Sequence, residues 1–400
     1  MNYVKIEGKY NIIKVYATEI EKGAIKDLST IANSSSFENS KVRIMPDVHQ
    51  GVIAPIGFTS TLTDKVVPAI VGVDIGCGVL SLHVDDEVDL QALDDYAREH
   101  IPTGHDIHQE PQRAYEELRQ NIEKTCKRTG QDPNYVLRSL GTLGGGNHFI
   151  ECGKSEKSGY WITVHTGSRN FGLRIAKYHQ SVAEKEANKV SVESIKQAYM
   201  DELGPSGVFD GEELGRRIRN KEKVARGLEY LTGDSLQDYV TDMKVAQAYA
   251  SLNRRNILMS IIDHFGFTVT NAIESVHNYI DFRYGIIRKG AISAQEGERV
   301  VIPLNMRDGL IIGVGKGNEE WNYSAPHGAG RKMSRSSAKM SLSLDDFQEQ
   351  MKGIVSSSVC ASTLDEAPGA YKDADEILGY LKDTVDIVER VMPLWNFKAV

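Results

Sequence analysis

Five of the eleven histidines in this 400-residue chain stand in short segments crowded with Gly, Asp, Asn or Ser. They are PDVHQG (His49), GGGNHFIE (His148), VHTGSR (His165), SVHNYID (His277) and APHGAGR (His327). A further segment, VGVDIGCGV, sets Asp74 and Cys77 three residues apart behind an apolar run. Singly, each is weak: a histidine beside glycine is most often structural, Asp74 can cap a turn, and Cys77 can serve as a small buried hydrophobe. Together they supply what a metal site needs, ligands projecting from rigid strand ends with glycines that let the backbone crowd close. Thiolate and imidazole favour zinc or another late divalent ion, whereas carboxylate admits manganese. The set holds more ligands than one tetrahedral ion requires, so two ions sharing a ligand fit it. Paired ions suit phosphoryl or nucleotidyl transfer, because the attacking and leaving oxygens both need charge neutralised.

Two glycine-rich stretches could cradle phosphates through backbone N–H groups: Gly141-Thr-Leu-Gly-Gly-Gly-Asn-His and His327-Gly-Ala-Gly-Arg. Neither is a P-loop, and Gly313-Val-Gly-Lys-Gly lacks the spacing for one. Tight structural turns are an equal reading of both stretches.

Such ligands must be held by strand ends and turns. From Tyr10 to about Val84 short strands alternate with turns, and Val42–Met45, Val66–Val73 and Val79–Val84 are the best strand candidates. Asp89–His100 and Pro111–Arg128 read as helices, and Val136–Leu140, Phe149–Glu151 and Trp161–His165 as strands. A helical block follows from about Leu173 to His264. Its clearest member opens at Asp234, where Asp-Ser-Leu-Gln has the form of a capping box. Leu236, Met243, Ala250 and Ile257 recur every seven residues, with Tyr239, Ala246, Asn253 and Ile261 between them. That spacing predicts one buried face on a helix of roughly 30 residues. Short strands resume beyond Gly266 to about Val314, and helices are expected near Asp345–Gly353 and Lys372–Val391. The polar stretch Gly204–Arg226 carries Arg216, Arg217, Arg219, Lys221, Lys223 and Arg226. A solvated helix face is the simpler reading of that run, and a binding surface the other.

Composition is that of an ordinary globular protein, 40% hydrophobic and 26% charged. A net charge of -8 argues against a global basic footprint, so any polyanion site is a local patch. Cys77, Cys126, Cys152 and Cys360 form no C-x-x-C pair and no disulfide framework. MNYVKIEGKY lacks the apolar core of a signal peptide, and no apolar run is long enough to span a membrane. The expectation is a reducing, cytoplasmic compartment with no membrane contact.

The segments PDVHQG, GVDIGCGV, LGTLGGGNHFIE, HTGSRNFG, YASLNRRNI, HGAGRKMSR and DEAPGAYKDADEI follow one another from about Asp47 to Ile377. In sequence and order they resemble the signature segments of the RtcB family. The resemblance implies an α+β fold of packed β-sheets with surrounding helices and a central metal-binding cleft, with 1–400 as a single catalytic domain. It implies a GTP- and Mn2+-dependent RNA ligase acting in RNA repair or tRNA splicing. Such an enzyme joins 2′,3′-cyclic phosphate or 3′-phosphate ends to 5′-hydroxyl ends, and the resemblance leaves room for an activating protein.

Carried over residue by residue, the resemblance makes Asp74, Cys77, His148, His165 and His277 metal ligands, with Cys77 shared by a pair of ions. His327 corresponds to the histidine that becomes guanylylated, and Asp47 and Arg169 to positions associated with ligation. GTP contacts are implied for Asn147, His148, Phe149, Ile150, Glu151, His277, Asn278, Pro303, Leu304, Asn305, Met306, His327, Gly328, Ala329, Gly330 and Lys398. The chain departs from the family pattern at Leu304-Asn305-Met306, where glycine-serine-methionine is usual, and ends Lys398-Ala-Val instead of with lysine and glycine.

Two other classes compete. A metal-dependent phosphoesterase acting on RNA ends would use the same Asp, Cys and His set, with His327 as ligand or general acid. A non-catalytic RNA-binding repair subunit would have no need of the full set. Lysine-nucleophile ligases are disfavoured, because K-x-D-G is missing and Lys5-Ile-Glu-Gly is the nearest string.

Overall fold

The computed structural model describes residues 3–17, 19–204, 207–219 and 224–399, apart from the side chains of 188–191 and 219. It is a mixed α+β architecture with two large sheets. One has six strands in the order Val4–Glu7, Ile12–Val15, Val42–His49, Ile56–Thr61, Ile286–Lys289 and Asn278–Asp281. The other has seven, in the order Arg299–Pro303, Leu310–Gly315, Val385–Phe397, Phe149–Ser155, Gly159–Thr166, Gly78–Val84 and Val269–Val276. Gly78–Val84 is buried at every residue: antiparallel neighbours flank both edges, Leu80 and Leu82 pack on one face with Ile257 and Ile261, and Val79 on the other with Val301 and Ile312.

The long helix Gly233–Phe265 packs against that sheet. Its seven-residue repeat behaves as the spacing predicts: Tyr239, Met243, Ala246, Ala250, Asn253, Ile257 and Ile261 are all buried, and Leu236 is partly so. Ile257, Leu258 and Ile261 meet Leu80, Leu82, Ile162 and Val164 of the sheet in one apolar cluster. Full burial of each such side chain contributes roughly 1.5–3 kcal/mol. Gly266, at φ 68°, ends the helix in the left-handed conformation that glycine adopts without strain. With Arg169–Leu203 and Gly211–Arg219, this helix makes the expected helical block.

Several local expectations fail for identifiable reasons. Val66–Val73 is no strand but a helical turn, Pro68–Val71, because Pro68 sits where a helix start tolerates a missing N–H. Val136–Leu140 belongs to the helix Pro133–Arg138, started by Pro133 and capped by Asp132, whose side chain accepts from the Asn134 N–H. The helix expected from Pro111 begins at Glu116. Asp234 lies in the first turn of its helix, and Thr232 is the cap, with no side-chain bond. Lys372–Val391 divides into a short helix, Ala374–Leu381, and the thirteen-residue strand Val385–Phe397. In the basic run, Arg217 pairs with Glu213 and Glu202 and Arg216 with Glu213, as on a solvated face. Lys221 and Lys223 lie outside the described residues. Among the described residues no helix is long and apolar enough to cross a membrane.

Candidate active site

A cavity of about 1030 Å³ opens where loops from both sheets converge, large enough for a nucleotide. Asp74 and Cys77 reach it from the turn before Gly78–Val84, in which the Cys77 N–H donates to the Asp74 carbonyl. Gly167 makes room for Asp74: a Cβ there would fall 2.2 Å from the carboxylate. His148 enters just ahead of Phe149–Ser155, His165 from Gly159–Thr166, and His277 from the link between Val269–Val276 and Asn278–Asp281. The His277 N–H donates to the Cys77 carbonyl and ties that link to the turn.

These side chains form two triads that share Cys77: Cys77, His165 and His277, and Asp74, Cys77 and His148. Within each triad the ligand atoms lie within 4.8 Å of one another. His148 Nδ1–H donates to the Leu143 carbonyl at 2.8 Å, which leaves the Nε2 lone pair facing Asp74 Oδ2 at 2.9 Å and Cys77 Sγ at 3.6 Å. His165 Nδ1–H donates to the Asn147 carbonyl, and its Nε2 faces Cys77 Sγ and His277 Nε2, both at 3.3 Å. Lone pairs aimed at one another across such distances repel, and a cation among them reconciles the arrangement.

Electrostatics agree with a ligand set. Burial holds His165 and His277 well below the ordinary imidazole range, so both are neutral donors. Burial also opposes charge on Asp74, yet the neighbouring His148 keeps its carboxyl below the usual range. Burial, with Asp74 beside it, pushes the Cys77 thiol well up, a cost that a bound cation relieves by taking the thiolate.

His327 lines the same cavity, its ring centre 4.8 Å from that of His277. Behind it Asp47, fully buried, accepts from both His327 Nδ1–H at 2.7 Å and the His327 backbone N–H at 3.1 Å. The bond fixes the tautomer, leaving the lone pair on Nε2. Gly330 permits the close approach, since a Cβ there would meet the Asp47 backbone at 2.7 Å.

A family model described as tRNA-splicing ligase RtcB matches residues 27–399. The chain belongs to the RtcB family. It is similar to RNA-splicing ligase RtcB of Escherichia coli strain K12, at 30% identity over 97% of each chain. It is 26% identical to tRNA-splicing ligase RtcB of Nanoarchaeum equitans, over 93% of this chain and 92% of that one.

Most positions that the RtcB resemblance singles out meet at this cavity. Asp74, Cys77, Asn147, Phe149, Glu151, His165, His277, Asn278, Pro303 to Met306, His327 to Gly330 and Lys398 all line it. His148 stands just behind, its Nε2 2.9 Å from Asp74 Oδ2. In the departing segment, Asn305 turns its side chain back on its own loop, donating to Asp308 and accepting from the Arg307 and Asp308 N–H groups. Ile150 does not reach the cavity: it alternates to the other face of its strand and packs in the core. Arg169 does not line it either. Its guanidinium lies against Gly144 and donates to the Gly104 carbonyl and Thr142 Oγ1, so it braces the glycine-rich loop.

Glu366, Asn396 and the loop-fixing roles of Asn253 and Arg254 were not singled out from sequence. Buried Glu366 gathers Arg331, Arg335 and Lys398 on the cavity wall, with Nη1 or Nζ atoms at 3.2, 2.6 and 3.1 Å. Burial opposes its charge, yet Lys398 and Arg335 hold its carboxyl below the usual range. Asn253 accepts from the Gly141 and Thr142 N–H groups, and Arg254 donates to the Gly76 and Thr166 carbonyls. Both fix the loops that carry the ligands. Their signal was available, as polar residues on or beside an apolar helical face. Asn396, inside an apolar strand, donates to Glu151 at 3.0 Å.

Proposed function

We propose that this chain is a GTP- and Mn2+-dependent RNA ligase, acting as a single catalytic domain in RNA repair or tRNA splicing. It joins RNA 3′-phosphate or 2′,3′-cyclic phosphate ends to 5′-hydroxyl ends through a covalent histidine–GMP intermediate. The observation that carries this reading is His327, held by Asp47 with Nε2 free, beside two ligand triads that share one cysteine.

Cys77, His165 and His277 would hold one ion, and Asp74, Cys77 and His148 the other. Bound ions supply charge neutralisation to the phosphates and to departing pyrophosphate. His327 Nε2 attacks the α-phosphorus of GTP, and the P–O bond to pyrophosphate breaks as the P–N bond forms. Asp47 retains the Nδ1 proton and stabilises the cationic ring that results. An oxygen of the RNA 3′-phosphate then displaces His327, which recovers its lone pair, and GMP passes to the RNA end. Finally the 5′-hydroxyl attacks the 3′-phosphorus, loses its proton and expels GMP. A cyclic phosphate enters this sequence after hydrolysis to the 3′-phosphate. Glu366 keeps Lys398, Arg331 and Arg335 aimed along the wall, and Arg169 serves as a positioning residue for the glycine-rich loop.

The test combines α-labelled GTP with defined RNA ends. Label should be retained covalently, labile in acid and stable in alkali, and joining should require GTP and Mn2+. Release of phosphate from RNA ends with no retained label would instead identify a phosphoesterase using the same ligands.

A further inference from the structure

Two buried oxygens on the cavity wall, Glu151 Oε1 and Asn396 Oδ1, have no hydrogen-bond partner among the described residues. They stand side by side. Strands Phe149–Ser155 and Val385–Phe397 pair antiparallel with Glu151 directly opposite Asn396. Alternation sends Phe149, Glu151, Asn396 and Lys398 toward the cavity, and Ile150, Cys152, Trp395 and Phe397 into the core behind. Glu151 is 3% exposed and Asn396 1%. Because Asn396 Nδ2 donates to Glu151 Oε2, the amide orientation is set, and Oδ1 is left as a plain acceptor. Lys398 Nζ sits 5.4 Å from the Phe149 ring centre and frames the pair.

Buried acceptors without donors are costly, so two together on the wall of a nucleotide-sized cavity mark the place of a ligand edge rich in N–H groups. Guanine has such an edge, with N1–H and both hydrogens of its exocyclic amine. Adenine presents an acceptor at N1, and hypoxanthine lacks the amine.

We propose that Asn396 is a specificity-determining residue for the nucleotide base: Glu151 accepts from N1–H and one amine hydrogen, and Asn396 Oδ1 accepts the other. The inference rests on the GTP reading above and adds to it the residue that separates guanine from hypoxanthine. A site built to bond a group discriminates against an analogue that lacks it, because its own buried atoms are then left unpaired.

The experiment measures binding and covalent adduct formation with GTP, inosine triphosphate and N2-methyl-GTP, using the full chain loaded with Mn2+. The wild type should favour GTP over both analogues by about tenfold or more. Asn396→Ala and Asn396→Ser should bring GTP to within about threefold of inosine triphosphate, by weakening GTP while the inosine nucleotide changes little. Asn396→Ala should also gain relative acceptance of N2-methyl-GTP. The wild-type ratios need no variant to fold, and equal use of GTP and inosine triphosphate by the wild type overturns the assignment. A GTP preference undiminished in folded variants overturns it as well, while leaving the GTP reading intact. If no purine triphosphate binds the wild type, the GTP reading itself fails and the assignment falls with it.

Discussion

Two histidine–aspartate pairs of nearly equal length occupy different parts of this molecule. His327 Nδ1 lies 2.7 Å from Asp47 Oδ2, and His179 Nε2 lies 2.8 Å from Asp242 Oδ2. The second pair sits among the helices, with both side chains 1% exposed. Asp242 is saturated there, its Oδ1 accepting from Thr125 Oγ1 and Arg128 Nη1. It pins together the helices Glu116–Thr129, Arg169–Leu203 and Gly233–Phe265. Asp47, by contrast, keeps Oδ1 without a partner among the described residues, and its histidine faces a cavity beside a glycine loop. The same pair is a structural clamp where both carboxylate oxygens are engaged among packed helices, and a candidate for chemistry where one ring nitrogen is left facing a cavity and ligands.

The sharpest way to break the comparison is His327→Ala. It should abolish the GMP adduct and the joining of 3′-phosphate RNA, while RNA supplied with a guanylylated 3′ end is still joined. An undiminished adduct, or label found on lysine, would refute the nucleophile assignment. Next in size is Cys77→Ala, which should empty both triads of metal, whereas His148→Ala or His277→Ala should mainly damage one. Metal analysis of the purified variants decides, and two tightly bound ions in Cys77→Ala would show that the thiol is not shared.

The aspartates themselves should part company. Asp47→Asn should slow adduct formation by about 10²–10⁴-fold, because the tautomer of His327 is no longer held, with little change in melting temperature. Asp242→Asn should leave the rate per folded molecule unchanged but cost roughly 3 kcal/mol in denaturant unfolding, since buried partners lose their counter-charge. Comparable losses of activity in the two variants would erase the distinction.

The smallest effect concerns Glu151, whose carboxyl burial pushes up from 4.5 to about 8. Between those values the folded protein holds a proton that the unfolded chain has lost. Its contribution to stability is therefore fully present below about pH 4.5 and declines as pH rises toward 8. Glu151→Gln should accordingly raise the melting temperature of metal- and nucleotide-free protein most near pH 8 and above, and hardly at all near pH 4.5. A difference that does not vary with pH would rule this out.

Much of the site is legible in the sequence, because its parts are local. Asp74 and Cys77 share one turn, and each ligand histidine arrives with its own glycines or asparagines. His327 carries its proline and small residues beside it. The buried face of Gly233–Phe265 was equally legible, since a seven-residue apolar repeat allows few other arrangements. Val385–Phe397 was not, because short-range periodicity in an apolar run does not distinguish a strand from the continuation of the helix before it. Val66–Val73 failed likewise, its β-branched composition overruled by Pro68.

What sequence alone determined is the inventory: which side chains can ligate, which histidine is set apart, and which helix must bury one face. Only the tertiary structure decided the partnerships. Asp47 and His327 stand 280 residues apart along the chain, and Asn396 and Glu151 245 apart. Each pair is joined by loop approach or strand register that no local spacing encodes. Register also decided that Glu151 faces the cavity while Ile150 enters the core, because in a strand a one-residue step changes the face on which a side chain lies.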